Sequence, residues 1–433
     1  MLTREENDLL CRVEGDAPMG QIMRRHWLPA VLSEEVAERD STPVRTRLLG
    51  EDLVVFRDSE GRLGILDERC PHRGASLALG RNEDCGLRCL YHGWKIDVDG
   101  AIQEMVSEPA GSTFAEKVRH KAYPAREAGG LVWVYMGLPE TMPEFAAPAF
   151  APTPTTNISI VEIHIECNWA QALEGSIDSA HSSSLHASDM LPARVDGAKA
   201  TESNWLRPST DKAPRLQVQP TSFGFRYAAI RRPIANAATH DYVRTTIFLA
   251  PITVLVPPNN RYNVTTVHVP IDDTNTMFVF VAWSDSGPGI DQEAWRKFNH
   301  AQVGIDLDAN WRNTRNRANN YRQDRQAMKL GNFTGITGIP NQDIAMWETM
   351  GRIVDRSKDR LGASDLAIVE FRRMMVAAAR TFAAGGPAIG TVEPRIPHAK
   401  LRSFEGVVAK ATNWRSLGAA EEELAATQTT AAE

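Results

Sequence analysis

Two short segments combine cysteine with histidine in a way that could bind metal. The first is Cys70-Pro-His72 and the second is Cys89-Leu-Tyr-His92, with 16 residues between His72 and Cys89. Two loops that meet at one point could supply two thiolates and two imidazoles as ligands. The chain has only 5 cysteines among 433 residues, so this clustering indicates metal binding or redox chemistry rather than a disulfide framework.

Two kinds of metal site fit these four ligands. Zinc would take all four in a tetrahedron, whereas a Rieske [2Fe–2S] cluster would take the cysteines on one iron and the histidines on the other. Zinc sites commonly pair C-x2–4-C with H-x3–5-H, but here each segment mixes one cysteine with one histidine. The Rieske cluster is therefore favoured, with zinc as the alternative. Cys85 is predicted to be a small buried residue and not a fifth ligand.

A second group of candidate ligands lies in the spacing E-x3-D-x2-H-x4-H. On a helix, Glu174, Asp178 and His181 would share one face. His186 would lie about 140° further round an ideal helix than His181, so the two histidines can meet only if the helix distorts or ends between them. Two histidines and one carboxylate form the facial triad of non-haem iron oxygenases.

The carboxylate of such a triad would come from a distant part of the chain. We assign it to Asp343, in Pro340-Asn-Gln-Asp-Ile-Ala-Met-Trp-Glu348 at the start of a predicted helix. An aspartate at a helix start more often serves as an N-cap. The assignment therefore depends on the two histidines and on the cysteine–histidine segments.

The elements that must position these residues divide the chain into five parts. Two-residue alternation and hairpin turns predict a small all-β domain, and a later block of strands with helices at either end predicts an α+β domain whose antiparallel sheet is gripped by long helices. The predicted parts are an arm (1–40), the β domain (41–140), a proline-rich linker (141–155), the catalytic domain (156–413) and a disordered tail (414–433). Helical patterns are predicted over Met19–Leu32, where the helix ends near Pro29, and over Trp169–His186, Gln292–Leu330 and Asp343–Ala384.

Composition excludes several function classes. Lys plus Arg is 48 and Asp plus Glu is 54, a formal charge of -6, so the chain has no net attraction to nucleic acid or anionic membranes. No apolar stretch approaches a membrane span of about 18 residues, and the charged N-terminus lacks a signal-peptide core. We expect a cytoplasmic protein without nucleic-acid or membrane partners.

Taken together, these motifs resemble the α subunit of the Rieske non-haem iron aromatic-ring oxygenases over roughly residues 10–400. The segments Gly15-Asp-Ala-Pro-Met-Gly20, Arg25-His-Trp-Leu-Pro29 and Glu68-Arg-Cys-Pro-His-Arg-Gly-Ala-Ser76 are similar to those of the phthalate dioxygenase branch. The resemblance implies a Rieske [2Fe–2S] cluster, a mononuclear Fe(II) and a helix-grip, START-like catalytic domain. It also implies α subunits alone in trimers or stacked-trimer hexamers, O2 as co-substrate, and a flavin and iron–sulfur reductase that delivers electrons from NADH.

The resemblance implies a role for each candidate residue. Cys70, His72, Cys89 and His92 would hold the cluster, and His181, His186 and Asp343 would hold the mononuclear iron. Asp178 would connect His181 to His92 of the partner subunit and so couple the two metal sites. Glu174 would be either an acceptor near the iron or only a charge on the helix surface.

Arginines inside apolar strand patterns are the candidates for substrate binding. Arg244 lies in Tyr242-Val-Arg-Thr-Thr-Ile-Phe-Leu249, and Arg207 lies in Asn204-Trp-Leu-Arg-Pro208. Guanidinium groups pair bidentately with carboxylates, so two of them would suit the adjacent carboxylates of phthalate. Ser179 could add a hydroxyl contact, and Arg226, Arg231 and Arg232 are weaker candidates. The product implied by the resemblance is the cis-4,5-dihydrodiol.

Three rival functions remain open at this point. The first is a monooxygenase, O-demethylase or dioxygenase of a benzoate with one carboxylate, such as a methoxy-, halo- or phenoxybenzoate. The second is a Rieske electron carrier without catalytic activity, and the third is a zinc-stabilised binding module. The electron-carrier interpretation leaves the spacing E-x3-D-x2-H-x4-H unexplained.

Overall fold

A computed structural model describes residues 1–195, 199–200, 205–258 and 262–418 of the chain. It divides into two compact units. The smaller unit comprises Val13–Asp16 and Met23–Phe145, and the larger comprises Met1–Arg12, Ala17–Ile22 and the chain from Ala146 onward.

The predicted N-terminal arm is not a separate part of the molecule. Its first residues belong to the larger unit, and the chain from Met23 belongs to the smaller one. The predicted helix Met19–Leu32 is wrong beyond Met23, because Trp27–Leu32 is a mostly buried strand that pairs with Leu131–Tyr135. Pro29 would also interrupt a helix at this point.

The smaller unit is built from antiparallel strands, which confirms its all-β character. Its strands are β1 (Trp27–Leu32), β2 (Val44–Leu48), β3 (Glu51–Arg57), β4 (Leu63–Asp67), β5 (Arg81–Glu83), β6 (Gly86–Arg88), β7 (Trp94–Ile96), β8 (Ile102–Met105), β9 (Ala122–Tyr123), β10 (Ala125–Ala128) and β11 (Leu131–Tyr135). They form three sheets, β1-β11-β10, β2-β3-β4-β9 and β5-β6-β7-β8. The third sheet is a meander, because its four strands pair in chain order.

Cys85 occupies the turn between β5 and β6. Both Asp84 (φ 48°) and Cys85 (φ 59°) are left-handed, as the two-residue turns that match strand twist require. The Cys85 side chain is only partly buried. The prediction that Cys85 is a buried residue is therefore wrong, because its place is a hairpin turn and not a strand.

The larger unit contains an eight-stranded antiparallel sheet, as predicted for the catalytic domain. Its strands are β12 (Asn157–Ile165), β16 (Arg215–Thr221), β17 (Gly224–Arg231), β18 (His240–Leu249), β19 (Thr253–Val256), β20 (Asn263–Pro270), β21 (Thr276–Ser284) and β22 (Phe404–Ala409). The order is β12-β21-β20-β19-β18-β17-β16, with β22 also pairing with β18. A small second sheet comprises β13 (Met190–Pro192), β14 (Lys199–Ala200) and β15 (Trp205–Arg207).

Several α-helices accompany these strands. They are α1 (Arg4–Cys11), α2 (Pro18–Met23), α3 (Trp169–Ile177), α4 (Gln292–Phe298), α5 (Arg325–Lys329), α6 (Ile339–Thr349) and α7 (Leu366–Ala383). Short 3-10 helices lie at Ser33–Val36, Leu77–Leu79, Ala115–Lys117, Pro139–Thr141, His181–Ser183, Arg317–Arg322, Ala363–Asp365, His398–Lys400 and Trp414–Ser416. α3, α4 and α7 pack against the eight-stranded sheet, α7 against β16 and β17, α3 against β19 and β20, and α4 against β12, which confirms the predicted grip. Within the described ranges, no helix is both long and apolar enough to cross a membrane.

The predicted long helices are broken in the structure. The helix predicted over Trp169–His186 ends at Ile177, and the helix predicted over Gln292–Leu330 ends at Phe298. The helix predicted over Asp343–Ala384 is two helices, because Gly351 adopts φ 103° shortly after the end of α6 and a right-handed helix cannot continue through that conformation. Apolar periodicity recurs on both sides of such breaks, and the sequence pattern therefore joins separate helices into one.

The C-terminal boundary also differs from the prediction. Trp414 was assigned to a disordered tail, but its ring is buried against Ala228, Ile230 and Val243, and its indole N–H donates to Gln217. The apolar area of a tryptophan ring favours this burial. Residues 419–433, the rest of the predicted tail, lie outside the described residues.

Candidate active site

The four predicted cluster ligands come from two loops of the smaller unit. Cys70 and His72 follow β4, and Cys89 and His92 lie between β6 and β7. The ring centroids of His72 and His92 are 4.3 Å apart. Both cysteine side chains are buried, and their thiols are close enough to interact. The structure thus brings two thiols and two imidazoles to one place.

The two loops have the same local geometry. The N–H of Gly74 donates to the carbonyl of Cys70, and the N–H of Gly93 donates to the carbonyl of Cys89. Both glycines have positive φ, and a Cβ on Gly93 would lie 2.3 Å from the side chain of Val106. Glycine at these positions therefore lets each loop close tightly around its cysteine.

This donor set fits an iron–sulfur cluster. Burial raises the pKa of Cys70 to about 11, against the effect of N–H groups of His72 and Arg73 that point at its sulfur. Such N–H groups also stabilise cluster sulfurs and tune the potential. The Nδ1 atom of His72 is buried without a hydrogen-bond partner in the described chain, which costs about 1–3 kcal/mol unless the atom binds something. A metal would satisfy it.

The second group of predicted ligands converges in the larger unit. The Nε2 atoms of His181 and His186 lie 3.1 Å apart, and Oδ1 of Asp343 lies 3.4 Å and 3.1 Å from them. The ligand atoms of these three side chains all lie within 4.8 Å of one another, close enough to share a single metal ion. Among the described residues, no other group of three or more His, Cys, Asp or Glu side chains meets this distance. Asp343 Oδ1 is buried with no hydrogen-bond partner there.

Protonation explains why this arrangement needs a cation. Nδ1 of His186 lies 2.8 Å from Oε1 of Gln342, and Nδ1 of His181 faces Oδ2 of Asp178 at 3.5 Å. If each Nδ1 carries the proton toward its acceptor, both Nε2 atoms present lone pairs toward a carboxylate oxygen. Three lone pairs facing one point repel each other unless a metal ion lies between them, and two histidines with one carboxylate suit Fe(II).

The chain reaches this geometry because two helices end or begin at the site. α3 (Trp169–Ile177) is capped by Asn168 at its N-terminus and by Asp178 at its C-terminus. The next turn, His181–Ser183, is a separate 3-10 helix. The helix therefore ends before both histidines rather than between them. α6 begins after Gly338, so Asp343 lies within the helix and is not its N-cap.

Gln342 is a site residue that sequence reasoning missed. Its amide oxygen faces His186, and its amide N–H groups donate to Asp189 at 2.7 Å and to the carbonyl of Ile336 at 2.8 Å. The side chain is fully buried. These bonds orient the amide, and the amide in turn fixes the orientation of the His186 ring. Its position next to Asp343 in the sequence was the available signal.

Replacing Gln342 by leucine is expected to weaken Fe(II) binding about 10- to 100-fold, the usual effect of losing a hydrogen-bond partner of a metal-bound histidine. Titration of the iron-depleted protein with Fe(II) measures this. Gln342→Glu keeps an acceptor for His186 and should therefore lose less Fe(II) affinity than Gln342→Leu. Equal Fe(II) affinity in wild type and Gln342→Leu would show that the His186 ring is held without Gln342.

Glu174 has neither of its two predicted roles. It is buried, and its carboxylate accepts from Arg356 at 2.8 Å and from Arg372 at 2.8 Å and 3.1 Å. Burial would raise the pKa of Glu174, but the two guanidinium groups outweigh this and lower it. Arg356 also donates to Asn7 in α1. Glu174 therefore ties α3 to α1 and α7.

Replacing Glu174 by glutamine is expected to lower the free energy of unfolding by about 3–5 kcal/mol, because it leaves the buried guanidinium of Arg356 without its carboxylate partner and leaves Arg372 with Asp359 alone. Since the folded pKa of Glu174 is lowered, its stabilisation is present above the unfolded value of about 4.3 and is lost as pH falls through the folded pKa. Denaturant unfolding of both proteins at pH 7 and at acidic pH measures the difference. If the difference in unfolding free energy between the two proteins were the same at acidic pH as at pH 7, the role of the Glu174 carboxylate would be contradicted.

A cavity opens beside the three metal-facing side chains. Its apolar walls include Trp205, Phe278, Phe280 and Trp347, and its polar lining includes Ser179, Ser182 and Arg244. A cavity of this kind, mostly apolar with a few polar groups, is typical of a site for a small organic molecule. Of the predicted substrate residues, Arg244 and Ser179 therefore line the cavity.

Arg207 is not part of the cavity lining but adjoins it through Ser182. It is buried, and its guanidinium is 3.4 Å from the hydroxyl of Ser182, which lines the cavity. Burial, and next the neighbouring charge of Arg244, lower the pKa of Arg207. Near Arg244 in the sheet lie Glu405, which sequence reasoning missed, and Arg231, one of the weaker candidates named from the sequence. The signal for Arg231 was an arginine at the end of the apolar strand β17.

Two family descriptions match the chain. Residues 26–119 match the Rieske [2Fe-2S] domain, and residues 134–433 match the family described as LigXa C-terminal domain like. The phthalate 4,5-dioxygenase oxygenase subunit of Pseudomonas putida is 64% identical over 415 residues, which cover 96% of this chain and 94% of that protein. The 3-chlorobenzoate-3,4-dioxygenase oxygenase subunit of Comamonas testosteroni is 34% identical, covering 96% and 97%.

Solved structures share the fold. The terminal oxygenase of carbazole 1,9a-dioxygenase from Nocardioides aromaticivorans IC177 matches with a TM-score of 0.57 at 18% identity, covering 87% of this chain and 97% of that one. Dicamba monooxygenase bound to dicamba matches with a TM-score of 0.55 at 18% identity, covering 84% and 99%. The sequence resemblance is confirmed, and the match to the Rieske domain favours the [2Fe–2S] cluster over zinc in the smaller unit. The chain belongs to the Rieske non-haem iron oxygenases, oxygenase components that carry a [2Fe–2S] cluster and a mononuclear iron and receive electrons from a partner protein.

Proposed function

We propose that this chain is the oxygenase subunit of a phthalate 4,5-dioxygenase. The reaction combines phthalate, O2, NADH and a proton to give the cis-4,5-dihydrodiol and NAD+, so that both oxygen atoms and two hydrogens enter the product. The observation that carries the proposal is a group of buried arginines beside the cavity that faces the metal-binding side chains. The similarity to the phthalate 4,5-dioxygenase oxygenase subunit supports it.

The charged group is arranged in rows across three strands. Arg244 in β18 lies between Ala229 of β17 and Glu405 of β22. Arg231 is opposite Tyr242, one row further along the same face. Glu405 is 3.5 Å from Arg244 and accepts from the hydroxyl of Tyr242. With Arg207, the group holds three guanidiniums and one carboxylate.

This group carries a formal excess of two positive charges in a buried place. Uncompensated buried charge is costly, and a dianion with two adjacent carboxylates would neutralise it. A carboxylate would also satisfy Nε of Arg207, which has no hydrogen-bond partner in the described chain. A benzoate with one carboxylate would leave one charge uncompensated, so the charges favour phthalate over the mono-carboxylate alternatives.

We assign the cluster to Cys70, His72, Cys89 and His92, and the iron to His181, His186 and Asp343. When bound, these groups supply single-electron transfer and O2 activation. The chain's own residues hold the carboxylates of the substrate at Arg207 and Arg244, exclude water with the aromatic wall, and orient His181 and His186 through Asp178 and Gln342.

We further propose that the subunit acts in a homotrimer or in stacked trimers, with Asp178 connecting His181 to His92 of the partner subunit. Two observations support this. Asp178 is partly exposed and lines an open groove together with His181. Apolar side chains on the groove wall are exposed to solvent, including Phe333, Met346 and Met350. A ring of identical subunits would cover such a face.

Replacing Arg244 by methionine is expected to lower kcat/KM for phthalate about 10- to 100-fold, because a hydrogen bond to a charged group contributes about 1.5–3 kcal/mol. The assay uses Fe(II)-loaded oxygenase with an NADH-dependent reductase and identifies the diol by mass. Arg244→Lys keeps the charge beside Glu405 and should lose less. Turnover of a mono-carboxylated benzoate but not of phthalate by the wild type would overturn the proposed substrate.

A further inference from the structure

Arg231 is not part of the cavity lining, and within the described residues all its hydrogen bonds go to one loop. Its side chain is buried. It donates to the carbonyl of Ser179 at 2.6 Å, to the hydroxyl of Ser179 at 3.2 Å and to the hydroxyl of Ser183 at 3.4 Å. The loop that it holds runs from Asp178 past the predicted iron ligand His181.

These bonds decide what the Ser179 hydroxyl can do. Because Arg231 donates to its oxygen, the hydroxyl hydrogen stays available to donate elsewhere. Ser179 lines the cavity, so that hydrogen can point to an acceptor inside it. Arg207 contacts Ser182 in the same loop, and Ser182 donates to the carbonyl of Ser179. Both arginines therefore hold this loop.

Arg231 also contributes charge without a carboxylate of its own. Within the described chain, no acidic side chain lies within ion-pair distance of Arg231, and its Nε has no hydrogen-bond partner. Burial, followed by the charge of Arg244, lowers the pKa of Arg231 to about 10, which still leaves it protonated at neutral pH. Arg244, with its partner Glu405, lies on the same face of the sheet, two residues along β18 from Tyr242, the residue opposite Arg231.

We propose that Arg231 is a positioning residue of the carboxylate site. It directs the Ser179 hydroxyl into the cavity and supplies the third positive charge beside it. A substrate with two carboxylates is therefore preferred over a substrate with one. This inference rests on the proposed function. It assigns no contact between Arg231 and substrate. Arg207 and Arg244 take the carboxylates, and Arg231 acts through Ser179 and through its charge.

The test measures binding of phthalate and benzoate to the holoenzyme by calorimetry without oxygen. Arg231→Met is expected to weaken phthalate binding about 10-fold or more and benzoate binding less than about 3-fold, since loss of a charge-assisted interaction affects the second carboxylate most. Arg231→Lys keeps the charge and should preserve more of the preference for phthalate over benzoate. Ser179→Ala is expected to weaken phthalate binding with less risk to folding.

The double variant Arg231→Met, Ser179→Ala distinguishes an effect of Arg231 exerted through Ser179 from a general loss of stability. If Arg231 acts through Ser179, the double variant binds phthalate more tightly than the product of the two single losses predicts. Equal losses for phthalate and benzoate in Arg231→Met, or a double loss equal to that product, would overturn the inference. Failure of the proposed function is a different result, because the wild type itself would then not convert phthalate.

Discussion

Replacing Asp343 by alanine is expected to remove the mononuclear iron and to abolish turnover, while the [2Fe–2S] cluster stays in place. Asp343 supplies the one carboxylate within reach of His181 and His186 in the described chain. Without it, two neutral imidazoles remain, and their affinity for Fe(II) is low because carboxylate and imidazole ligands together suit this metal. Activity should fall by about 10³-fold or more, since the loss of the metal removes several kcal/mol of transition-state stabilisation.

Metal analysis and spectroscopy separate this outcome from unfolding. Asp343→Ala should lose about one iron of about three per chain and keep its acid-labile sulfide and its Rieske EPR signal. Glu293→Ala removes an exposed carboxylate in the first turn of α4 and should retain full iron and activity. Wild-type iron content and turnover in Asp343→Ala would show that Asp343 is not a ligand of the iron.

Replacing Asp178 by asparagine is expected to slow turnover about 10²-fold or more, although both metals are retained. Asp178 faces His181 Nδ1, and His181 in turn holds Asp178 ionised, since it lowers the pKa of Asp178 against the effect of burial. Asparagine has the same size but lacks the charge that orients the imidazole, and partners of metal-bound histidines contribute about 10- to 100-fold. The proposed connection to the partner subunit would be lost as well.

Single-turnover kinetics identify the step that fails. The reduced Asp178→Asn enzyme, mixed with O2 and phthalate, should oxidise its cluster slowly, while the reductase still reduces that cluster at the wild-type rate. Gln342→Leu is the useful comparison, because it lowers iron affinity and not electron transfer. Near-normal cluster oxidation in Asp178→Asn would refute the role of this carboxylate.

The convergence of the candidate metal ligands could be predicted where the ligands are neighbours in the sequence, whereas Asp343 lies 157 residues after His186. Cys70 with His72, and His181 with His186, are separated by a few residues, so their spacing alone limits where their side chains can point. The predicted convergence of the two histidines required a break in the helix, and the structure contains one, but at Ile177 and not after His181.

The carboxylate site could be predicted only in part. Arg244 stands out within an apolar strand, but its partner Glu405 comes 161 residues later, and only the pairing of β18 with β22 brings them together. Glu174 shows the opposite error. Its spacing from Asp178 indicated the iron, whereas the long-range partners Arg356 and Arg372 turn it toward α1 and α7. Sequence spacing cannot reveal contacts that depend on the register of distant elements.

The most direct test of the account is the metal content of protein purified without oxygen, with an EPR spectrum after dithionite reduction. We expect about three irons and about two acid-labile sulfides per chain, together with a Rieske-type signal. Two irons with two sulfides would leave the triad in doubt unless added Fe(II) restored the third. Zinc without sulfide would contradict the account.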